Sequence, residues 1–171
     1  MITFTTKQKG AALIVCLILL MVMTILGVSS ITSTTMEEKM AGNIRNKHLS
    51  FQAAEAALRA GEAVAESLDH STTVFDGTNG LYDRTDAGDA NYPIWDQSSG
   101  INWQDVTTIT DLVQYPQYII EDFGTVYRDN DCKYKADIDP DCILPVYRIT
   151  AQGWGLNTNG HSMVQSTYKK L

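Results

Sequence analysis

Between Lys9 and Glu37 the chain carries no charged residue, and from Ala11 to Val28 only Thr24 and Gly27 interrupt a run of apolar side chains. Proline is absent from Ala11 to about Leu68, and glycine occurs there only at Gly27, Gly42 and Gly61. This pattern predicts one long helix. At about 1.5 Å per residue it would extend roughly 85 Å, and its first part is long enough to cross about 30 Å of hydrocarbon. The second part carries a stripe of Met40, Ile44, Phe51, Ala54, Leu58, Gly61, Ala65 and Leu68, spaced mainly by three and four, with Lys47 in the one missing place. Such a face must bury against another element. Ala54 and Gly61 on it would permit close approach, while Glu55 and Arg59, four apart, belong to the solvated side. The helix is expected to end between Asp69 and Thr73, where polar and β-branched residues replace the pattern.

From residue 70 to about 116, glycines and many Asp, Asn, Ser and Thr mark loops, with Trp95 and Trp103 expected to anchor them onto the domain. The last third reads as antiparallel sheet. Tyr118 to Asp122, Val146 to Trp154 and Ser162 to Lys169 are candidate strands by alternation and β-propensity. Tyr147, Ile149 and Ala151 would point one way, and Arg148, Thr150 and Gln152 the other. Leu156-Asn157-Thr158-Asn159-Gly160 has turn chemistry and joins the last two strands as a hairpin. The class is therefore α+β, with one domain of about 140 residues after the apolar segment.

Lys7 and Lys9 precede the apolar run, while Glu37 and Glu38 follow it. Positive-inside orientation puts the short N-terminus in the cytoplasm and everything after about Ser30 outside. A secretory signal has its small-residue cleavage site after the hydrophobic stretch. Here Lys7-Gln8-Lys9-Gly10 abuts Ala11 directly, so a cut after Gly10 would leave the hydrophobic helix on the mature protein. That is the logic of a prepilin. An uncleaved signal anchor is the plainer alternative.

The chain has 13 basic and 20 acidic residues, a formal charge of −7. Losing Lys7 and Lys9 with a leader would leave 11 against 20, or −9. Phosphate contacts need a positive surface, so nucleic acid is not an expected partner. Cys132 and Cys142 lie in the exported part with nine residues between them, in a polar, proline-containing loop. We expect them to form one disulfide contributing about 2–3 kcal/mol at most, with Cys16 a free packing residue in the apolar run. No further soft ligands stand nearby for a metal. Asp129, Asp131, Asp137, Asp139 and Asp141 bracket this loop, but they lack the glycine and terminal glutamate of a calcium loop, and a solvated acidic loop is expected. His48, His70 and His161 belong to no Cys-His, Ser-His-Asp or metal-spaced cluster. Phosphate-binding glycine loops are absent. No catalytic residue, metal site or cofactor is expected.

Three further segments carry a resemblance. Gly10-Ala11-Ala12-Leu13-Ile14-Val15, then Glu37-Glu38-Lys39-Met40-Ala41-Gly42-Asn43, then Phe51-Gln52-Ala53-Ala54-Glu55-Ala56-Ala57-Leu58-Arg59-Ala60-Gly61-Glu62 resemble the type IV pilins, and among them the PilX-type minor pilins. Tyr147-Arg148-Ile149-Thr150-Ala151-Gln152-Gly153-Trp154-Gly155 and Gln165-Ser166-Thr167-Tyr168 are similar to the same group. The N-terminal part of the likeness covers about a third of the chain, and residues 69 to 116 add nothing to it.

The resemblance implies a type IV pilin-like fold: a long N-terminal helix, transmembrane in its first half and amphipathic in its second, packed on a C-terminal antiparallel sheet. It implies a cleaved leader at 1–10, a transmembrane and filament-core half-helix at 11–36, an amphipathic half at 37–69 and a periplasmic head at 70–171. Gly10 and Ala11 would be the sites of prepilin cleavage and N-methylation. Val15 stands at the fifth mature position, where major pilins usually have a glutamate that meets a neighbour's N-terminal ammonium. A buried ammonium without a counter-charge is costly, so a subunit with Val15 suits a filament end or an initiating complex. The implied function is initiating and capping type IV pili, with roles in twitching and adhesion. Implied partners are other minor pilins, the major pilin, a tip adhesin, the prepilin peptidase and the inner-membrane assembly platform. The implied location is the inner membrane, with assembly into the extracellular pilus. The alternatives are a minor pseudopilin of type II secretion, whose inserted domain this chain is too short to hold, and a membrane-anchored periplasmic enzyme.

Overall fold

A computed structural model describes residues 11–84, 100–134 and 140–170. The leader with Gly10, Trp95 and the acidic residues Asp137 and Asp139 lie outside the described residues. The chain divides into two compact units, Met1–Ile44 and Arg45–Leu171. Helix α1 (Ala11–Ser67) contributes to both.

In the first unit the described residues are all exposed, and the helix there is long and apolar enough to cross a membrane. Its hydroxyl groups turn back onto the helix itself. Thr24 Oγ1 donates to Met21 O at 2.8 Å and Thr32 Oγ1 to Val28 O at 2.9 Å. Those bonds satisfy side chains that would otherwise lack partners in hydrocarbon.

In the second unit the sheet order is β1 (Leu81–Asp83), β3 (Gln117–Tyr127), β4 (Ile143–Trp154), β5 (His161–Lys169), with β2 (Gln104–Asp105) also paired to β3. The β3–β4–β5 pairings are antiparallel, as the alternation predicts, and the Leu156–Gly160 turn closes the β4–β5 hairpin with Gly155 N–H donating to Gly160 O. Short β1 runs parallel to β3, so the sheet as a whole is mixed. Strand β3 extends five residues beyond the expected Asp122 because a bulge between Asp122 and Thr125 lets pairing resume. Gly124, at φ +88°, supplies the left-handed backbone for it.

The core sits between α1 and one face of this sheet. Ala57, Leu58 and Ala65 pack with Ile120, Tyr147, Ile149 and Ala151. Full burial of an isoleucine such as Ile149 is worth about 1.5–3 kcal/mol. The alternation of Tyr147, Ile149 and Ala151 against Arg148, Thr150 and Gln152 places the first set here. On the opposite face Tyr82 and Ile119 pack with Ile101 and Trp103. Beside them Arg148 donates through Nε to Glu121 Oε2 at 2.7 Å and through Nη2 to Oε1 at 2.5 Å. The Phe123 ring lies 4.6 Å from the Arg84 guanidinium and 4.7 Å from that of Arg148.

The buried face of α1 differs from the expected stripe. Ala54, Leu58, Gly61 and Ala65 are buried as expected, but Met40, Ile44 and Phe51 are exposed, and Asn46 and Ser50 take the inner positions. A strict three-four repeat averages 3.5 residues per turn, whereas a straight helix needs 3.6 and drifts about 20° per heptad. Counted back from Ala54, the inner face has therefore rotated off Phe51 and onto Ser50 and Asn46.

Candidate assembly surfaces

Asn46, a buried polar residue of α1, is 7% exposed. Its Nδ2 donates to Asn157 Oδ1 and its Oδ1 accepts from Leu156 N–H, both at 2.7 Å. One turn on, Ser50 Oγ and Ser162 Oγ share a hydrogen bond of 2.7 Å, and Lys47 Nζ donates to His161 O. The helix is thus fastened to the β4–β5 hairpin by polar groups. This works only because the hairpin is stripped of side chains where it meets them. A Cβ on Gly153 would lie 2.7 Å from Ser50 O and 2.8 Å from the Ala53 carbonyl carbon. Sequence reading missed this clip, although Gly153-Trp154-Gly155 opposite an Asn-x3-Ser spacing was a signal for it.

The structure joins Cys132 to Cys142 in a disulfide, and both residues are buried. Asp129 caps the short helix α2 (Asn130–Lys133) by accepting from Cys132 N–H at 2.8 Å, and Arg128 N–H donates to Cys142 O at 2.9 Å. Asp129 is therefore occupied as a helix cap. Cys16 is free and exposed.

The histidines are not brought together. His48 is exposed on α1, and His161 is tied to the hairpin with its pKa lowered by burial and, less, by Lys47. His70 Nδ1 stands 3.6 Å from Asp122 Oδ2, beyond hydrogen-bond reach. Next to it the Tyr147 hydroxyl is buried with no hydrogen-bond partner among the described residues. Burial first, then the Asp122 and Asp69 charges, push its pKa up to about 12. Among the described residues no group of three His, Cys, Asp or Glu is placed to hold a metal.

Ala11 opens α1, and Val15 on its first turns is exposed among apolar neighbours. A membrane-capable helix continued into a small-residue face that packs on a mainly antiparallel sheet defines a type IV pilin-like subunit. Residues 9–59 match the family model described as PilX N-terminal, and residues 62–170 match that of the type IV pilus assembly protein PilX, C-terminal part. The chain belongs to the PilX family of type IV pilus assembly proteins, a structural family. No curated protein and no solved structure matches it.

Proposed function

We propose that this chain is a minor pilin that, with other minor pilins, initiates assembly of type IV pili and caps the filament, supporting twitching motility and surface adhesion. The observation that carries this reading is an apolar α1 without a carboxylate before Glu37, in a chain of a pilus assembly family. The N-terminal ammonium of a neighbouring subunit inside a filament core needs a counter-charge. With Val15 at the fifth mature position, this subunit offers none and belongs at an end. The family match favours the pilus over a secretion pseudopilus. In this reading the prepilin peptidase cuts after Gly10 and Ala11 is N-methylated. The inner membrane holds the helix, the head stands in the periplasm, and the subunit joins the major pilin, a tip adhesin and the assembly platform. The buried disulfide suits an oxidising compartment.

Filament initiation limited by nucleation predicts that deleting the chain lowers the number of sheared surface pili while major pilin stays abundant in the membrane. Normal pilus numbers in the deletion strain would overturn the priming role. Intact mass of the native protein should show loss of residues 1–10 and one added methyl group. A retained leader would instead mark an uncleaved anchor.

A further inference from the structure

Strand β5 closes one side of the sheet, with β4 its sole strand partner among the described residues, in an unbroken register from Val146↔Lys169 to Trp154↔His161. In an antiparallel ladder alternate residues aim both backbone groups at the neighbour. The bonds from Gly155 N–H to Gly160 O and from Lys170 N–H to Pro145 O set the phase. Ser162, Val164, Ser166 and Tyr168 point inward to β4. Met163, Gln165, Thr167 and Lys169 turn N–H and C=O outward, where no backbone group meets them among the described residues. Edge strands are usually short, bulged, interrupted by proline or charged. β5 is nine residues long, has neither proline nor bulge, and carries a lysine only at its last position.

The helix alongside this edge has matching features. Lys47 reaches His161, Ser50 meets Ser162, and Ser166 Oγ donates to Glu62 Oε1 at 2.8 Å, so α1 and β5 run side by side in the same direction. Spacings of three and four place Phe51, Glu55, Glu62 and Glu66 on the flank that starts at Lys47. Phe51 is 49% exposed there. Glu66 lies beside the Tyr168 hydroxyl, as Glu62 lies beside Ser166.

We propose that the outer edge of β5 and this flank of α1 form a strand-addition site for an extended, basic segment of another polypeptide. Its backbone completes the hydrogen bonds of Met163, Gln165 and Thr167. Its alternate side chains cover the Phe51 ring with an apolar group and set Lys or Arg against Glu62 and Glu66. A second copy of this chain fits badly. Antiparallel β5–β5 pairing centred on Gln165 would bring the Glu62 carboxylates of both copies to the same place, in a chain already at −7. The site goes beyond the priming role and does not depend on it.

The test uses the full-length chain in its own cell envelope, with a photo-crosslinking amino acid at Met163 and cross-linked peptides mapped by mass spectrometry. The expected product joins Met163 to one extended segment of a different chain, with basic and apolar residues alternating. Thr167→Pro removes an outward N–H and leaves the β4 ladder whole, so the yield should fall at least about tenfold as edge hydrogen bonds are lost. Glu62→Lys with Glu66→Lys should give a similar loss without touching the strand, which decides the matter if Thr167→Pro fails to fold. Cross-links only to copies of this chain, only to lipid, or to an acidic segment would overturn the site. So would no cross-link, or a yield indifferent to the charge reversals.

Discussion

A Cβ added to Gly27 or Gly42 on the first stretch of α1 meets nothing within 4 Å, whereas one added to Gly61 in the second stretch lands 2.7 Å from the Ile149 side chain. The same contrast runs through the other side chains. Leu13, Leu20 and Met23 are large and exposed, while Ala54, Ala57 and Ala65 are small and fully buried. From Ala11 to Ile44 the side chains are exposed, and among the described residues their size is matched by no packing partner. From Arg45 to Ser67, smallness itself is the structural feature, because it sets how closely helix and sheet approach. Apolar area alone does not hold this head together. Packing distance and the few polar bonds that the distance permits hold it as well.

The contrast breaks most severely at Gly153. We predict that Gly153→Val destabilises the head by about 3 kcal/mol or more, because the new methyl groups face helix backbone, which cannot swing aside as a side chain can. Gly42→Val, in open space, should leave head stability within about 0.5 kcal/mol. Denaturant unfolding of the detergent-solubilised full chain, followed by tyrosine and tryptophan fluorescence, measures both. Equal effects would mean that close approach is not what Gly153 provides.

Much of this division is legible in the sequence. The charge-free apolar run, the missing prolines and the period-two strands in the last third fix the helix, the β4–β5 hairpin and the direction of Tyr147, Ile149 and Ala151. The rest was hidden for definite physical reasons. Counting threes and fours accumulates a phase error, so Phe51 was given an inner place that Ser50 holds. Polar residues inside, such as Asn46 and Glu121, leave no hydrophobic signature, since their burial depends on partners far away in sequence. Strand β1, three residues paired in parallel through a long connection, is too short to carry a pattern. The Cys132–Cys142 pair could be read because compartment and loop chemistry bear on it directly. Gly10, by contrast, lies outside the described residues.

A smaller effect is expected where polar bonds replace area. Asn46→Ala removes the acceptor for Leu156 N–H and the donor to Asn157. The cost should be about 2 kcal/mol, the usual result of leaving a buried group unpaired. Amide exchange at Leu156 should quicken more than at Ile149. A uniform change at both positions would show that Asn46 acts on the whole head and not as a local clip. Leu20→Ala, which removes a larger apolar side chain from the exposed stretch of α1, should leave both rates unchanged.

The smallest effect has the opposite sign. The Tyr147 ring stacks on Phe75 with centroids 5.9 Å apart, and the residue is fully buried, yet its hydroxyl has no hydrogen-bond partner among the described residues. Tyr147→Phe keeps the ring and deletes the unsatisfied group, so it should stabilise the head by about 1 kcal/mol at pH 7. The pH dependence tests the same burial. Below pH 10 the phenol is neutral in both states. Above it the unfolded chain loses this proton first, because burial and the Asp122 and Asp69 charges hold the folded pKa near 12. Stability that is full below pH 10 is therefore lost as pH rises through 12, by an amount of order 2–3 kcal/mol. In Tyr147→Phe that share of the alkaline decline should vanish, leaving a weaker slope from Tyr118 and Tyr168, whose pKa values burial also raises. Urea unfolding of both proteins at pH 7 and pH 11 measures it. A phenylalanine variant less stable than the parent at pH 7 would mean that the hydroxyl makes a bond worth more than its burial costs.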